Sequence, residues 1–299
     1  MIDQRRFPWW WGVLTVLLMA QVASAQQNDG DDEDPYAKVE LLRLDVFAQP
    51  NWIAQPDSNG YDLRSQMRMF ASPGLTLKRR WRIAAALTYW AYDLQTTQGD
   101  VLLQVIMAMP QLTYVGEKSC LFLQAGPGLL GELTSISSRD LQFQAFGYGC
   151  YSPSETLTLK GGAGFLQGAG LTLPLPLLGV TWAPTDNTVV DVMLPISARI
   201  DYNWNDHVGI FGLAELDSLP FDVEKPLGSE SDDFLVPLYA RLGIGVGVGL
   251  VSGLRAELAL GISTEGYESL IEADESPGNA RFNPFGQLSL RFDQRLLSR

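Results

Sequence analysis

From Val190 to Trp204 the even positions are Val190, Val192, Leu194, Ile196, Ala198, Ile200, Tyr202 and Trp204, all apolar or aromatic. The odd positions between them include Asp191, Ser197, Arg199, Asp201 and Asn203. Side chains of a strand alternate faces with period two, so one face here is wholly apolar and the other carries charge. Leu235–Val251 repeats the pattern, with Val236, Leu238, Ala240, Leu242, Ile244, Val246, Val248 and Leu250 on one face. Tyr239, Arg241 and four glycines, Gly243, Gly245, Gly247 and Gly249, occupy the other. Leu254, Ala256, Leu258, Leu260 and Ile262 continue the apolar face against Arg255, Glu257 and Ser263. Val208, Ile210, Ala214 and Leu216 do the same against His207 and Glu215, and Leu288, Leu290 and Phe292 against Gln287, Ser289 and Arg291.

A soluble sandwich also alternates, with one face in its core. Strands of soluble proteins, however, usually hold about 5 or 6 residues, whereas eight apolar positions alternate without a break in both 190–204 and 235–251. Tyr202 and Trp204 also sit at one end of their apolar face, where a membrane barrel carries its aromatic girdle. The pattern predicts an all-β fold, an antiparallel up-and-down transmembrane β-barrel with lipid outside and a polar lumen. Strands are expected near 39–47, 63–77, 81–93, 101–115, 119–132, 140–151, 171–183, 189–204, 207–217, 235–251, 254–265 and 282–293. That makes twelve, an even number as single-chain bacterial barrels require. Residues 152–170 are left as a connection, although Thr156–Lys160 and Ala163–Leu166 could add a hairpin, so the range runs from ten to fourteen.

Two hairpins follow from parity. Leu250 and Leu254 share a face, so an odd loop, Val251-Ser252-Gly253, joins them, and the register sets Arg255 opposite Gly249 and Glu257 opposite Gly247. Missing side chains on one strand leave room for long ones on the other; tight curvature is an equal reason for the glycines. Cys120 and Cys150 fall on the inward faces of adjacent strands, roughly opposite, and could form a disulfide or remain two buried thiols. Counting back from the C-terminus places 205–206 and 251–253 on the periplasmic side, and the acidic loops 218–234 and 266–281 outside.

The N-terminus supports export. Arg5 and Arg6 precede a short apolar run to Ala20, and Ala23-Ser24-Ala25 has the small residues of a cleavage site, so 1–25 reads as a signal peptide. The apolar stretch of about 12 residues is too short to span a bilayer comfortably. Residues 26–37 form an acidic tail expected to be disordered, and 38–299 the barrel domain. The net charge of −13 becomes −14 without the leader, since 21 − 2 = 19 cations then face 34 − 1 = 33 acids. Nothing would neutralise phosphates, which excludes nucleic acid as a partner. The expected place is the bacterial outer membrane, with periplasm or secretion as the alternative. The expected partners are outer-membrane lipid, the barrel-assembly machinery and small solutes.

The inward-facing candidates are Asp191, Arg199, Asp201, Glu215, Arg241, Arg255, Glu257 and Arg291. Mixed charges inside a barrel either form a ladder that plugs it or line a narrow pore and set its selectivity. His207, the single histidine, shares its face with Ser197, Asp201 and Glu215, the residue types of a lipid hydrolase or acyltransferase. A nucleophile needs a base in reach and a third group to orient it, and the spacing fixes no such geometry. Neither acidic loop has regular calcium-ligand spacing. The chain has no glycine-rich phosphate loop, CxxC, HExxH or GxSxG. No catalysis, metal or cofactor is expected.

Leu177-Leu178-Gly179-Val180-Thr181-Trp182-Ala183-Pro184-Thr185-Asp186-Asn187, then Leu194-Pro195 and Asp201-Tyr202-Asn203-Trp204, resemble an uncharacterised family of bacterial outer-membrane β-barrels. Ser72-Pro73-Gly74-Leu75 resembles an earlier strand of that family. The resemblance would cover about 38 to 293 and implies a barrel without assigned catalytic residues. The chain departs from common barrels in ending Leu296-Leu297-Ser298-Arg299, with no terminal aromatic unless Phe292 serves.

Overall fold

The computed structural model describes residues 38–48, 62–77, 80–96, 99–131, 140–168, 171–205, 207–218, 221–222, 234–251, 254–269 and 281–295. The expected leader, acidic tail, most of the two acidic loops and the C-terminal four residues lie outside the described residues. The strands are β1 (Lys38–Ala48), β2 (Asp62–Ala71), β3 (Gly74–Leu77), β4 (Trp81–Thr96), β5 (Gly99–Val115), β6 (Ser119–Gly131), β7 (Leu141–Ser154) and β8 (Leu157–Gly168). They continue as β9 (Leu171–Thr185), β10 (Thr188–Leu194), β11 (Ser197–Asn203), β12 (Val208–Ser218), β13 (Phe221–Asp222), β14 (Phe234–Val251), β15 (Leu254–Ser269) and β16 (Arg281–Arg295).

Setting aside the short β3 and β13, each strand pairs antiparallel with the next along the chain, β2 with β4 and β12 with β14 included, and β1 pairs with β16, so the ladder runs in a closed circuit. Of the sixteen strands, β3 continues the line of β2 against β4, and β13 is a two-residue strip beside β14. That leaves 16 − 2 = 14 positions in the wall. Closure removes every sheet edge, the condition for backbone polar groups to be satisfied within a membrane.

Two corrections raise the expected twelve strands to fourteen. Residues 189–204 are a hairpin and not one strand: β10 and β11 pair in register from Thr188↔Tyr202 to Met193↔Ser197, closed by Ile196 N–H donating to Met193 O. Every partner sum in this register is even, so the period-two phase passes through the turn unchanged and the sequence reads as a single long strand. Residues 152–170 are not a connection or a small hairpin. They extend β7 to Ser154 and form β8, paired with β7 on one side and β9 on the other. The other two hairpins have the expected registers: Gly249↔Arg255, Gly247↔Glu257 and Cys120↔Cys150.

The outward face is apolar along the circuit. Ile83 and Leu87 on β4, Leu178 on β9, Ile200 on β11, Leu242 and Ile244 on β14, and Leu258 and Leu260 on β15 are all exposed, with Ile244 at 75%. A soluble protein of this size rarely leaves so continuous an apolar surface in water, and it is the lipid-facing band of a transmembrane barrel. All the long connections are at one end. On the side of both termini every connection is short, 78–80, 116–118, 155–156, 186–187, 204–207 and 252–253; the opposite side carries the long 49–61, 132–140, 219–233 and 270–280 together with the two-residue 97–98, 169–170 and 195–196. Outward Trp81, Tyr151, Trp182, Tyr202 and Trp204 all lie within a few residues of the short-turn end and are exposed. Trp81 packs on Tyr114 with ring centroids 4.7 Å apart, and Trp204 meets Tyr202 edge-on. This belt marks one membrane interface.

Candidate functional site

The inward residues of β4 and β5 are mainly hydrophobic, which the expected polar lumen did not anticipate. Ala86, Tyr92, Leu103, Val105, Met107 and Met109 join Leu130 of β6, Phe211 and Leu213 of β12, Ala259 of β15 and Phe285 of β16 in one buried cluster. In a circuit of fourteen, β5 and β12 are seven steps apart in either direction. The cluster therefore joins opposite walls through the lumen. Glycines make room for it: the Phe285 ring lies over Gly243 and Gly261, and the Phe211 ring over Gly245.

A polar network lies beside this plug, centred on Glu257 of β15, whose side chain is only 3% exposed. Arg199 of β11 donates to it twice, Nη1 to Oε2 at 3.0 Å and Nη2 to Oε1 at 2.7 Å. Arg255 Nε is 3.2 Å from Oε1, and Arg291 Nε of β16 is 3.3 Å from Oε2. Arg199 also holds Asp201 through Nε and Nη2, at 2.8 and 2.7 Å, and its guanidinium stacks 4.1 Å from the Phe211 centroid. Arg255 Nη1 donates to Asn203 Oδ1 at 3.1 Å. One carboxylate so gathers three guanidiniums from three strands. The two Arg199 bonds are charge-assisted and so of the strong kind, while Arg255 and Arg291 add ion-pair contacts, and burial makes the integrity of the cluster matter more.

A second set of contacts spans the lumen elsewhere. Arg241 of β14 donates to Gln66 of β2, and lies 3.9 Å from Glu215 of β12. Arg68 of β2 approaches the same carboxylate at 4.0 Å while its guanidinium sits 5.4 Å above the Trp90 ring, which packs on the apolar plug. Lys160 of β8 and Asp191 of β10 form a separate pair at 2.6 Å, and Thr181 Oγ1 donates to the same Asp191 oxygen. Here Asp191 keeps half its side chain exposed, and inward Val189, Met193, Ser197 and Asn203 are only half-buried. The lumen is filled on the β4–β6 and β12–β16 side; beside β8–β11 it is mixed, with Thr158, Leu166 and Leu177 buried and Asp191 half exposed.

Of the eight inward candidates, Arg199, Asp201, Arg255, Glu257 and Arg291 meet in one network, Glu215 and Arg241 in another, and Asp191 stands apart with Lys160. The strand pattern missed Gln66, Arg68 and Lys160, as well as a buried group at the break between β2 and β3. There Ser72 Oγ donates to Gln111 Oε1 at 2.6 Å, while Arg82 Nη1 donates to Ser72 Oγ at 3.1 Å and Nη2 to the Ser72 carbonyl. The alternation of β4 shows Arg82 on the inward face, and an arginine among alanines was the available signal. Cys120 and Cys150 are joined as a disulfide, with Cα atoms 4.9 Å apart. His207 lies exposed in the 204–207 turn, where its backbone N–H donates to Asn205 Oδ1. Ser197 is at the other end of β11, about 20 Å away at roughly 3.3 Å per residue, and Asp201 is taken by Arg199. The hydrolase grouping does not assemble.

No family model and no curated protein matches the chain. Solved structures similar to it are barrels. They include the CymD monoaromatic hydrocarbon channel, at 9% identity and TM-score 0.44 over 89% of this chain and 90% of that one. The translocator domain of autotransporter NalP from Neisseria meningitidis matches at 11% and 0.41, over 94% and 95%. LpxR from Salmonella typhimurium matches at 8% and 0.39, over 84% and 99%. Scores and identities this low carry no argument about the residues, substrate or chemistry of this chain.

Proposed function

We propose that this protein is a narrow, non-enzymatic pore for small solutes in the bacterial outer membrane, its lumen mostly filled by its own side chains. The observation that carries the reading is the meeting of opposite walls: Val105 and Met107 of β5 share one buried cluster with Phe211 and Leu213 of β12. Barrels of eight strands fill with side chains, and those of sixteen or more leave an aqueous channel. Fourteen strands fall between, and here methionine, phenylalanine and arginine close most of the section. Among the described residues, the least buried charged pair facing inward is Lys160–Asp191, with half of the Asp191 side chain exposed, and on this reading the remaining path runs past it. The lipid partner follows from the apolar band and the aromatic belt, and the assembly machinery from insertion of such a barrel.

Proteoliposome swelling tests the reading. The unaltered protein should admit only the smallest neutral solutes, slowly, and the double variant F211A/L213A should admit larger sugars faster. Rapid sugar flux through the unaltered protein would contradict a filled lumen. Absence of any flux in both proteins would leave a structural barrel in place of a pore.

A further inference from the structure

The outward face is not evenly filled. One register row crosses five strands as Ile83, Leu112, Leu123, Gly147 and Ala163, and in the row nearer the short turns Gly149 pairs with Gly161. The large side chains of these rows stand on β4–β6, whereas β7 and β8 supply only glycine and alanine. The result is an open groove of about 630 Å³, lined also by Ala125, Ala145 and Phe165 and apolar apart from Gln111 and Gln124. Its volume is that of a small-molecule site, roughly 300–1,000 Å³. Phe165 stacks on Phe143 with centroids 5.7 Å apart and closes the end away from the short turns. A Cβ on Gly161 would meet nothing within 4 Å, so the groove continues toward the short-turn end.

That end carries cations, a local feature in a chain of net charge −13. Arg80 is exposed in the turn before β4, and Lys118 is exposed in the turn between β5 and β6. The two turns are adjacent, since Val115 N–H donates to Arg80 O at 2.8 Å. Arg80 Nη2 is 3.9 Å from Glu117 Oε1, but both side chains are more than half exposed, and such pairs contribute little. The next turn holds Glu155, so the cations lie on the β4–β6 side of the groove. Arg80 directly precedes Trp81, which packs on Tyr114 in the aromatic belt, and this sets Arg80 at headgroup level. Ile83 is three residues from Arg80 and Leu123 five from Lys118, about 10 and 16 Å at roughly 3.3 Å per residue. One leaflet holds about 15 Å of hydrocarbon, so the groove lies at acyl-chain depth below a phosphate held by the cations.

We infer that this groove binds one anionic phospholipid, an acyl chain lying over Gly147 and Ala163 and the phosphate at Arg80 and Lys118. Guanidinium and ammonium groups both take phosphate oxygens. The rival occupant is a second copy of the chain. Two copies in one membrane share an orientation, so a two-fold contact here would bring both sets of cations to the same interface, where like charges repel. The inference goes beyond the pore reading and rests only on the membrane-spanning wall, so lipid binding can fail while conduction stands.

Native mass spectrometry of the full chain, released from detergent with dioleoyl phosphatidylglycerol or dioleoyl phosphatidylcholine added, tests it. The unaltered protein should retain one phosphatidylglycerol at a severalfold lower lipid concentration than phosphatidylcholine. R80Q/K118Q, confined to exposed turns, should abolish that preference. A163F, which fills the groove with an apolar side chain, should weaken retention of both lipids severalfold; G161L, whose Cβ has open space, takes its place if A163F does not fold. Equal retention of the two lipids by the unaltered protein, or retention that none of these variants changes, would overturn the inference. A dimer of the unaltered protein that the filled variant dissociates would assign the face to a second copy instead.

Discussion

Glu257 shows how a residue's role depends on partners that are distant in sequence. Its inward face and its place opposite Gly247 follow from parity along β14 and β15. Its bond to Arg199 does not, because 58 residues separate them and only closure of the wall brings β11 near β15. Replacing it with alanine strands three guanidiniums in a buried site. Loss of one partner from a buried ion pair costs about 3–5 kcal/mol, so E257A should lower unfolding stability by that order in urea titrations of the micelle-bound protein. An E257A titration indistinguishable from that of the unaltered protein would show that the network contributes nothing. Gly261 is constrained differently: a Cβ there would meet Leu242 O and lie 2.6 Å from Gly243 Cα, both backbone. G261A should therefore destabilise by about 1–3 kcal/mol, the usual cost of overpacking, although alanine favours neither face of the strand.

At the scale of the element, alternation identified most strands and misjudged two places for physical reasons. The β10–β11 turn preserves parity, so Leu194 and Ile196 look like successive positions of one strand when they flank Pro195 at a reversal. In β8, Gly161, Gly162, Ala163 and Gly164 erase the apolar signal that periodicity needs. Their smallness has a structural reason, since a Cβ on Gly162 would meet Gly147 O and Tyr148 Cα of the facing β7. The β6–β7 hairpin was legible because Leu121, Leu123 and Ala125 set the outward face of one strand and Leu141, Phe143 and Ala145 that of the next. This puts Cys120 and Cys150 on the same inward face, and they pair directly. Tryptic digestion without reductant should recover 119–139 and 140–160 as one linked species. Recovery of the two peptides separately, with free thiols, would remove the disulfide.

At the scale of the whole molecule, the barrel was legible in the sequence and its filled lumen was not. Period-two patterning reports which face is uniform, and the outward face is uniformly apolar here. The inward face changes character around the circuit, hydrophobic on β5 and charged on β11 and β15. On β5, apolar residues on both faces erase the alternation, so Leu103, Val105, Met107 and Met109 give no sign of facing inward. The membrane assignment has its own test at Ile244, the most exposed apolar side chain of β14. An arginine near the bilayer midplane costs about 2–4 kcal/mol in a transmembrane barrel, so I244R should lose that much stability in lipid. Unchanged stability with better aqueous solubility would point to a soluble barrel.

Single-channel current through the unaltered protein tests the central claim most directly, that side chains from opposite walls close most of a fourteen-strand lumen. The structure predicts small, infrequent steps in planar bilayers, enlarged several-fold in F211A/L213A. Large, steady current from the unaltered protein, unaffected by those substitutions, would mean that the walls do not meet.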